Sequence, residues 1–285
     1  MKSKVSIILP AKNEAASLAD ILPRLKSRYP EHEIIVVNDG SDDETVEICR
    51  TNQVSVVSHQ YSKGNGAAIK SGARAASGDI LVFMDADGQH ATDDIDHLIA
   101  GLEAGYDMVV AARHNSDQAS LGRGAANFFY NKFASLVTGH RISDLTSGFR
   151  AVKADKFRQF LYLLPNGFSY PSTITMVFFR VGYSVKYVPV RVSQRKGKSH
   201  IKPLKDGVRF LLIIFRISTL YSPLKIFFPL SFLFFLAGCS HYVYNYIMYE
   251  KFTNMSAMLL IVAVLVFLIG LVSEQITTLL YSREQ

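Results

Sequence analysis

Residues 226–248 contain no acid or base other than His241, and residues 255–272 contain none at all. As helices these runs would be roughly 35 Å and 27 Å long. Uncharged segments of that length cross a bilayer, where a helix is one of the few structures that satisfies its own backbone. Neither run has an amphipathic pattern, which argues against a pair of core helices in a soluble domain. Tyr242, Tyr244, Tyr246 and Tyr249 cluster where the first run ends, as an interfacial aromatic belt does. The second run is followed by Glu274 and Gln275 and stays apolar to Tyr281. The chain is therefore expected to end in a transmembrane hairpin, residues 223–285.

The charge is as unevenly spread as the hydropathy. The whole chain of 285 residues carries +7, whereas residues 191–225 alone carry +8, nine bases opposed only by Asp206. A basic stretch beside a span marks the cytoplasmic side and attracts anionic headgroups. Nucleic acid is the competing partner for a basic run, and the neighbouring hairpin favours lipid over it. Placed on a helix, residues 201–221 put Leu204, Val208, Leu211 and Phe215 on one face. Lys202, Lys205, Arg209 and Arg216 fall on the opposite face. That pattern predicts a juxtamembrane helix, residues 201–222, lying in the interface. Residues 5–9 are too short for the apolar region of a signal peptide. The N-terminal part is then expected in the cytosol, with two spans returning the C-terminus there. Cys49 and Cys239 fall in different regions and make no disulfide framework.

Residues 1–200 read as an α/β domain. Short apolar runs at 5–9, 34–37, 54–58, 80–84, 108–111 and 183–190 predict strands. Helical spacing at 14–28, 66–76 and 125–137 lies between them, and a helix through Val46 and Ile48 has Ser41 and Asp42 as cap candidates. Residues 143–150 read as a turn-rich loop. Alternating strands and helices predict a mostly parallel sheet covered on both faces.

The tetrad Asp85-Ala86-Asp87-Gly88, with Gln89 and His90 after it, follows the buried-strand run at 80–84. Two carboxylates leaving the C-terminal end of a parallel strand stand where open α/β sheets bind ligands. Carboxylates with few other protein ligands suit Mg²⁺ or Mn²⁺ that also holds phosphate oxygens. A solvated Asp-Gly turn explains the same residues equally well.

Five segments occur in order: Pro10-Ala11-Lys12-Asn13-Glu14, Asn38-Asp39-Gly40-Ser41, Lys63-Gly64-Asn65-Gly66, the Asp85–His90 segment, and Asp144-Leu145-Thr146-Ser147-Gly148-Phe149-Arg150. This order resembles the family 2 glycosyltransferases of GT-A fold. It is more closely similar to the polyprenyl-phosphate glycosyltransferases, relatives of dolichyl-phosphate mannose synthase. The likeness runs over about residues 5–201. It implies a Rossmann-like domain and inverting transfer of one sugar from a UDP- or GDP-sugar to an undecaprenyl or dolichyl phosphate. It also implies a divalent cation, Mg²⁺ or Mn²⁺, and a multi-pass protein of the cytoplasmic membrane whose catalytic domain faces the cytosol, serving cell-envelope glycans. A homo-oligomer is compatible with it, although no heptad pattern fixes a number.

By the same resemblance, Asp85, Asp87 and Gln89 hold the metal, and Asp87 and Asp144 are the catalytic acids. Pro10, Lys12, Glu14, Asp39, Lys63, Asp85, Ala86 and Arg195 serve the nucleotide and its diphosphate. Arg113, Arg123, Arg195, Lys198 and Ser199 meet the acceptor phosphate. Lys12 stands where the similar mannose synthases carry an aromatic residue, so a charge contact replaces base stacking there. Lys63 and its glycines are expected to form a small flexible loop near the diphosphate. Asp144 need not be a base, because a phosphate monoester is already mostly dianionic at pH 7.

Four other readings compete. A diacylglycerol-type acceptor would use the same donor site. A processive polysaccharide synthase should show a Gln-x-x-Arg-Trp motif, and this chain has no tryptophan. A non-catalytic membrane scaffold would have no need of the acids at 39, 85, 87 and 144. A nucleotidyltransferase, finally, should carry a glycine-rich loop after the first strand, where residues 10–14 have no glycine.

Overall fold

The apolar run at the N-terminus becomes β1 (Val5–Ala11), which pairs in parallel with β2 (Glu33–Asn38) on one side and β4 (Ile80–Phe83) on the other. β3 (Ser55–Ser58) extends the sheet beyond β2, also in parallel. α1 (Ala15–Arg28), α2 (Thr45–Thr51) and α3 (Asn65–Ala75) make the crossovers. This computed structural model describes residues 3–113, 121–167, 169–191 and 222–282, without the side chains of 121–129 and 281–282. The chain divides into two compact units, Met1–Pro203 and Leu204–Gln285.

Both faces of the first unit's sheet are covered, as parallel strands require. On one face Ile7, Leu9, Val36 and Val82 join Leu18, Leu22 and Leu25 of α1 in a continuous core. The i, i+4, i+7 spacing of those leucines presents them as one stripe. Each such fully buried side chain contributes about 1.5–3 kcal/mol. On the other face α3 lies directly on the strands. Its Gly72 has no room for a methyl group, which would collide with Ile8 and stand 3.1 Å from Val37 Cγ2. The small residues of α3 are thus required by close helix–sheet approach. Phe83 on the same side packs against Phe157 of α6 (Ala154–Gln159), with ring centroids 4.7 Å apart.

Beyond β4 the sheet departs from the sequence-based expectation. β5 (Met108–Arg113), after α4 (Asp94–Glu103), does not pair with β4. Between them lies β6 (Arg150–Lys153), antiparallel to both, and β7 (Val185–Val190) closes the far edge parallel to β5. The full order is β3-β2-β1-β4-β6-β5-β7. β6 has only Ala151 and Val152 as an apolar pair between two bases, too short for any periodicity to mark it. α5 (Leu121–Thr138) precedes it and α7 (Tyr170–Arg180) follows.

Among its described residues the second unit holds two helices, α8 (Leu224–Tyr249) and α9 (Asn254–Ser282), packed as an antiparallel hairpin. Both are long and apolar enough to cross a membrane, and only 11% and 17% of their most apolar stretches are buried. They are therefore not core helices, and Phe232, Leu233, Ile247, Ile261 and Val264 are outward-facing in the way lipid-exposed side chains are. Small residues bring the helices together: a Cβ on Gly238 would lie 3.0 Å from Leu260 Cδ2, and one on Gly270 2.5 Å from Phe227 Cβ. Polar groups are paired inside the hairpin. Ser231 Oγ donates to Ala263 O at 2.8 Å, and Glu274 Oε2 accepts from Ser222 Oγ and Leu224 N, each at 3.2 Å, capping α8. The interfacial helix expected at 201–222 lies, up to residue 221, outside the described residues.

Candidate active site

The unexpected strand assembles the site. Arg150, the first residue of β6, is in register with Phe83 of β4 and Val110 of β5. Because β6 runs against its neighbours, the loop entering it emerges at the edge where β4 and β5 end. Asp85, Arg113 and the Asp144–Phe149 loop are thus brought to one place, from positions up to 64 residues apart.

Asp85, Ala86 and Asp87 follow β4 directly. Asp87 Oδ1 accepts from Gln89 N at 3.2 Å and folds the segment into a turn. Gly88 has φ +75°, and a Cβ there would meet nothing within 4 Å, so glycine is required by conformation and not by space. Gly148 is the converse: its Cβ would stand 3.0 Å from Asp85 Oδ2, so that glycine leaves a cradle against the carboxylate. Among the described residues no group of three or more His, Cys, Asp and Glu forms a metal cage. Two carboxylates at an open edge with a cradle beside them fit Mg²⁺ or Mn²⁺, which keep waters and phosphate oxygens as further ligands. His90 packs on Phe149 with ring centroids 4.7 Å apart, and its Nδ1 is buried without a partner. Burial pushes its pKa down to about 4, opposed by the charges of Asp87 and Asp144 and reinforced by Arg113. The imidazole is neutral at pH 7.

Arg113, the last residue of β5, grips Asp144. Its Nε donates to Oδ2 at 2.7 Å and its Nη2 to Oδ1 at 3.0 Å, a bidentate pair. Nη2 also donates to Thr146 Oγ1 at 2.6 Å. The backbone amides of Thr146 and Ser147 donate to the same carboxylate, each at 3.1 Å. Burial acts to raise the Asp144 pKa, but the bonds and charge of Arg113 and these amides outweigh it and hold the carboxyl below its usual range. Arg113 is also within electrostatic reach of Asp85. Asp144 is therefore an ionised, fully engaged holder of Arg113, with no free lone pair poised to take a proton.

Arg150 is a residue that the sequence argument left without a role. It is fully buried, has no carboxylate within ion-pair distance among the described residues, and donates to Ser147 O, Pro171 O and Thr175 Oγ1. Tyr170 Oη donates to Gly148 O at 3.0 Å. Together they fasten the Ser147-Gly148 peptide beneath Asp85. Only the burial of a base could have disclosed this, and burial is not written in a four-residue strand.

The nucleotide edge differs in detail from the expectation. Asp39, at the end of β2, is buried, and both its oxygens are engaged. Oδ1 accepts from His59 Nδ1 at 2.7 Å and Lys63 N at 2.8 Å, and Oδ2 from Ser62 Oγ and Gly64 N, both at 2.8 Å. A carboxylate offers about four acceptor positions, and all are taken by protein. Asp39 builds the loop that carries Lys63, where the sequence argument had it touch the nucleotide. That loop was expected to be flexible; it is pinned instead. The Gly64 amide serves Asp39, the Gly66 amide donates to Gly167 O at 3.2 Å, and a Cβ on Gly64 would lie 2.7 Å from Asn166 O. His59, which the sequence did not mark, is held between Asp39 and Ser71 Oγ.

Pro10 is half-buried in β1, Lys12 is exposed just past its end, and Glu14 occupies the cap position of α1. The first amides of that turn and helix bond to the loop after β2 and the first residue of α2: Asn13 N to Ser41 Oγ, Glu14 N to Thr45 Oγ1 and Ala15 N to Asp43 Oδ2. Arg123 lies in the first turn of α5, with its side chain outside the description. Arg195, Lys198 and Ser199 lie outside the described residues altogether.

Comparison with known proteins identifies the family and the fold. Residues 6–161 match the family model described as Glycosyl transferase family 2, and residues 222–279 match that of the GtrB C-terminal hairpin. An uncharacterized protein of Methanocaldococcus jannaschii is 28% identical over 230 residues, 76% of this chain and 93% of that protein. The undecaprenyl-phosphate 4-deoxy-4-formamido-L-arabinose transferase of Proteus mirabilis is 32% identical over 161 residues, 53% of this chain and 49% of that protein. The match to that transferase thus spans about half its length. Glucosyl-3-phosphoglycerate synthase from Mycobacterium tuberculosis, solved with Mn²⁺ and UDP-glucose, has the same fold, with a TM-score of 0.60 at 20% identity over 74% of this chain and 77% of that one. With the family model covering more than half of its length, the chain belongs to the family 2 glycosyltransferases.

Proposed function

We propose that the chain moves a single sugar from a nucleoside diphosphate sugar to a polyprenyl phosphate, at the cytosolic face of a membrane. The observation that carries this reading is the meeting of Asp85 with the Arg113–Asp144 pair at one sheet edge, in a chain that also bears two bilayer-length helices. The Mn²⁺ and UDP-glucose of the structural neighbour and the undecaprenyl phosphate in the relative's name support it.

Asp85 and Asp87, with Gln89, would hold Mg²⁺ or Mn²⁺. Such an ion, when bound, neutralises charge on the departing nucleoside diphosphate as a Lewis acid. Arg113, oriented by Asp144, offers a planar guanidinium to the acceptor phosphate. Arg123, Arg195, Lys198 and Ser199 are proposed as further phosphate contacts, and Lys12, Glu14 and Lys63 as contacts to the nucleotide. The acceptor needs no base, since a phosphate monoester is mostly dianionic at pH 7. Its oxygen forms the new bond to the anomeric carbon as the bond to the diphosphate oxygen breaks on the opposite face, inverting the configuration. The basic segment 191–225 is proposed to attract the anionic headgroup.

The test uses the full chain in nanodiscs with labelled UDP- and GDP-sugars, Mg²⁺ or Mn²⁺, and a short polyprenyl phosphate. Label should enter the organic phase, and Asp87→Ala should abolish this while the protein still inserts and folds. Undiminished transfer in that variant, or label found only on a diacylglycerol acceptor, would overturn the reading.

A further inference from the structure

We infer that Tyr61 is the platform on which the donor's nucleobase stacks, with Lys63 beside it for the adjoining phosphate. The inference rests on the donor being a nucleoside diphosphate sugar, as proposed above. β3, β2, β1 and β4 are neighbours and parallel, so the segments that follow them share one edge. Those segments are residues 12–14, 39–44, 59–64 and 84–93, and Tyr61 is the only phenylalanine, tyrosine or tryptophan in any of them. The position after β1 offers the exposed Lys12 and no ring.

An isolated exposed tyrosine is ordinary on a protein surface. Three features distinguish this one. Its side chain is open, at 65% exposure, yet its support is rigid. The next three residues are tied to Asp39 through Ser62 Oγ, Lys63 N and Gly64 N, each at 2.8 Å. The Tyr61 backbone is pressed against Gly40, where a Cβ would lie 2.8 Å from Tyr61 C. With the backbone fixed, only the two side-chain torsions of the ring remain to be ordered on binding, a small loss.

The second feature is the cation. Lys63 Nζ stands 5.6 Å from the centre of the Tyr61 ring, within cation–π range. An apolar face adjoining a positive charge matches a base linked through its ribose to a phosphate. The third is the separation. Three strand spacings, roughly 14 Å, divide the loop after β3 from the carboxylates after β4. A nucleoside diphosphate bridges such a gap, whereas inorganic pyrophosphate reaches only the carboxylate end.

The experiment titrates full-length protein in nanodiscs, with Mn²⁺, against UDP, GDP, CDP, dTDP and inorganic pyrophosphate. Tyr61→Ala should weaken the best-bound nucleotide by about 5- to 100-fold, the range for loss of base–aromatic stacking. Pyrophosphate affinity and the thermal midpoint should not change. Tyr61→Phe should bind as wild type, and Tyr61→Leu should resemble Tyr61→Ala. Wild-type nucleotide affinity in Tyr61→Ala or Tyr61→Leu overturns the inference, as does an equal loss of nucleotide and pyrophosphate. Wild-type protein that binds no nucleoside diphosphate at all refutes the donor reading itself, so the two failures are distinguishable.

Discussion

Arg113 and Asp144 are 31 residues apart in the chain and meet through two parallel hydrogen bonds of 2.7 and 3.0 Å. The carboxylate is nearly enclosed and the guanidinium one-third exposed, with side-chain exposures of 7% and 34%. The pair is therefore directional: Asp144 is spent on holding Arg113, and Arg113 keeps an accessible flank. Removing the acid should leave the base misplaced by an ångström or so, which costs on the order of 100-fold in rate. Asp144→Asn and Arg113→Ala are each expected to lose at least that much transfer, and the double variant no more than either alone. Additive losses in single-turnover kinetics would show two independent roles.

A pH profile follows from the same pair. The folded pKa of Asp144 is depressed, so its ionised form persists throughout pH 5–8. The transfer rate should show no limb belonging to this carboxyl there, and any fall towards acid should follow the acceptor phosphate near pH ~6. Asp39 and Asp107 are depressed as well, each against the opposing effect of burial, Asp39 chiefly by His59 and Asp107 by Lys156 and Lys153. For a depressed acid the stabilisation is complete above the unfolded value, about 3.9, and is lost as pH falls through the folded one. Thermal midpoints of the first unit should hold between pH 7 and 8, begin to fall below about pH 6.5, where the unfolded chain protonates a His90 that stays neutral in the fold down to about pH 4, and drop further below about pH 4 as the depressed acids protonate. A rate limb between pH 5 and 8 that moves in Asp144→Glu would contradict the assignment.

Gly148→Ala tests the cradle beside Asp85. The added methyl would sit 3.0 Å from Oδ2, tighter than a carboxylate tolerates without turning. The expected result is a loss of Mn²⁺ affinity of about tenfold or more, read by electron paramagnetic resonance, with a stability cost within the overpacking range of about 1–3 kcal/mol. Unchanged Mn²⁺ affinity would separate Gly148 from the metal site.

Asp39→Asn should loosen the Lys63 loop without removing it. The amide cannot accept four hydrogen bonds, and each buried donor left unpaired costs about 1–3 kcal/mol. Hydrogen exchange at the Lys63 and Gly64 amides is expected to accelerate at least about tenfold, and nucleotide affinity to fall with it. Wild-type protection at those amides would mean that the loop is held by something other than Asp39.

In the hairpin, packing should matter more than hydrogen bonding. Gly270→Leu must force Phe227 away from α9, whereas Ser231→Ala forfeits one interhelical bond, worth about 0.6 kcal/mol on average in membranes. The glycine variant should lower the thermal midpoint in detergent far more than the serine variant. The reverse order would mean that polar contacts dominate the helix pair.

The sequence by itself determined the elements whose pattern is local. Uncharged runs long enough for a bilayer reappear as α8 and α9, and the apolar runs before residue 112 reappear as the parallel strands. Period and length suffice there, because each element buries a face that its own residues declare. The acids at 85 and 87 were legible for the same reason: they follow a strand that names its own end.

Only the tertiary structure decided how those ends are combined. β6, four residues with one apolar pair, turns the loop after Asp144 back between β4 and β5, and it alone brings Asp144 to Arg113 and Gly148 to Asp85. Antiparallel pairing across so short a strand is selected by the vacancy between β4 and β5, a property of the assembled sheet and not of the segment. The role of Asp39 was likewise undecidable beforehand. Whether a carboxylate at a strand end meets a ligand or its own chain depends on which donors fold over it, and here His59, Ser62, Lys63 and Gly64 arrive first.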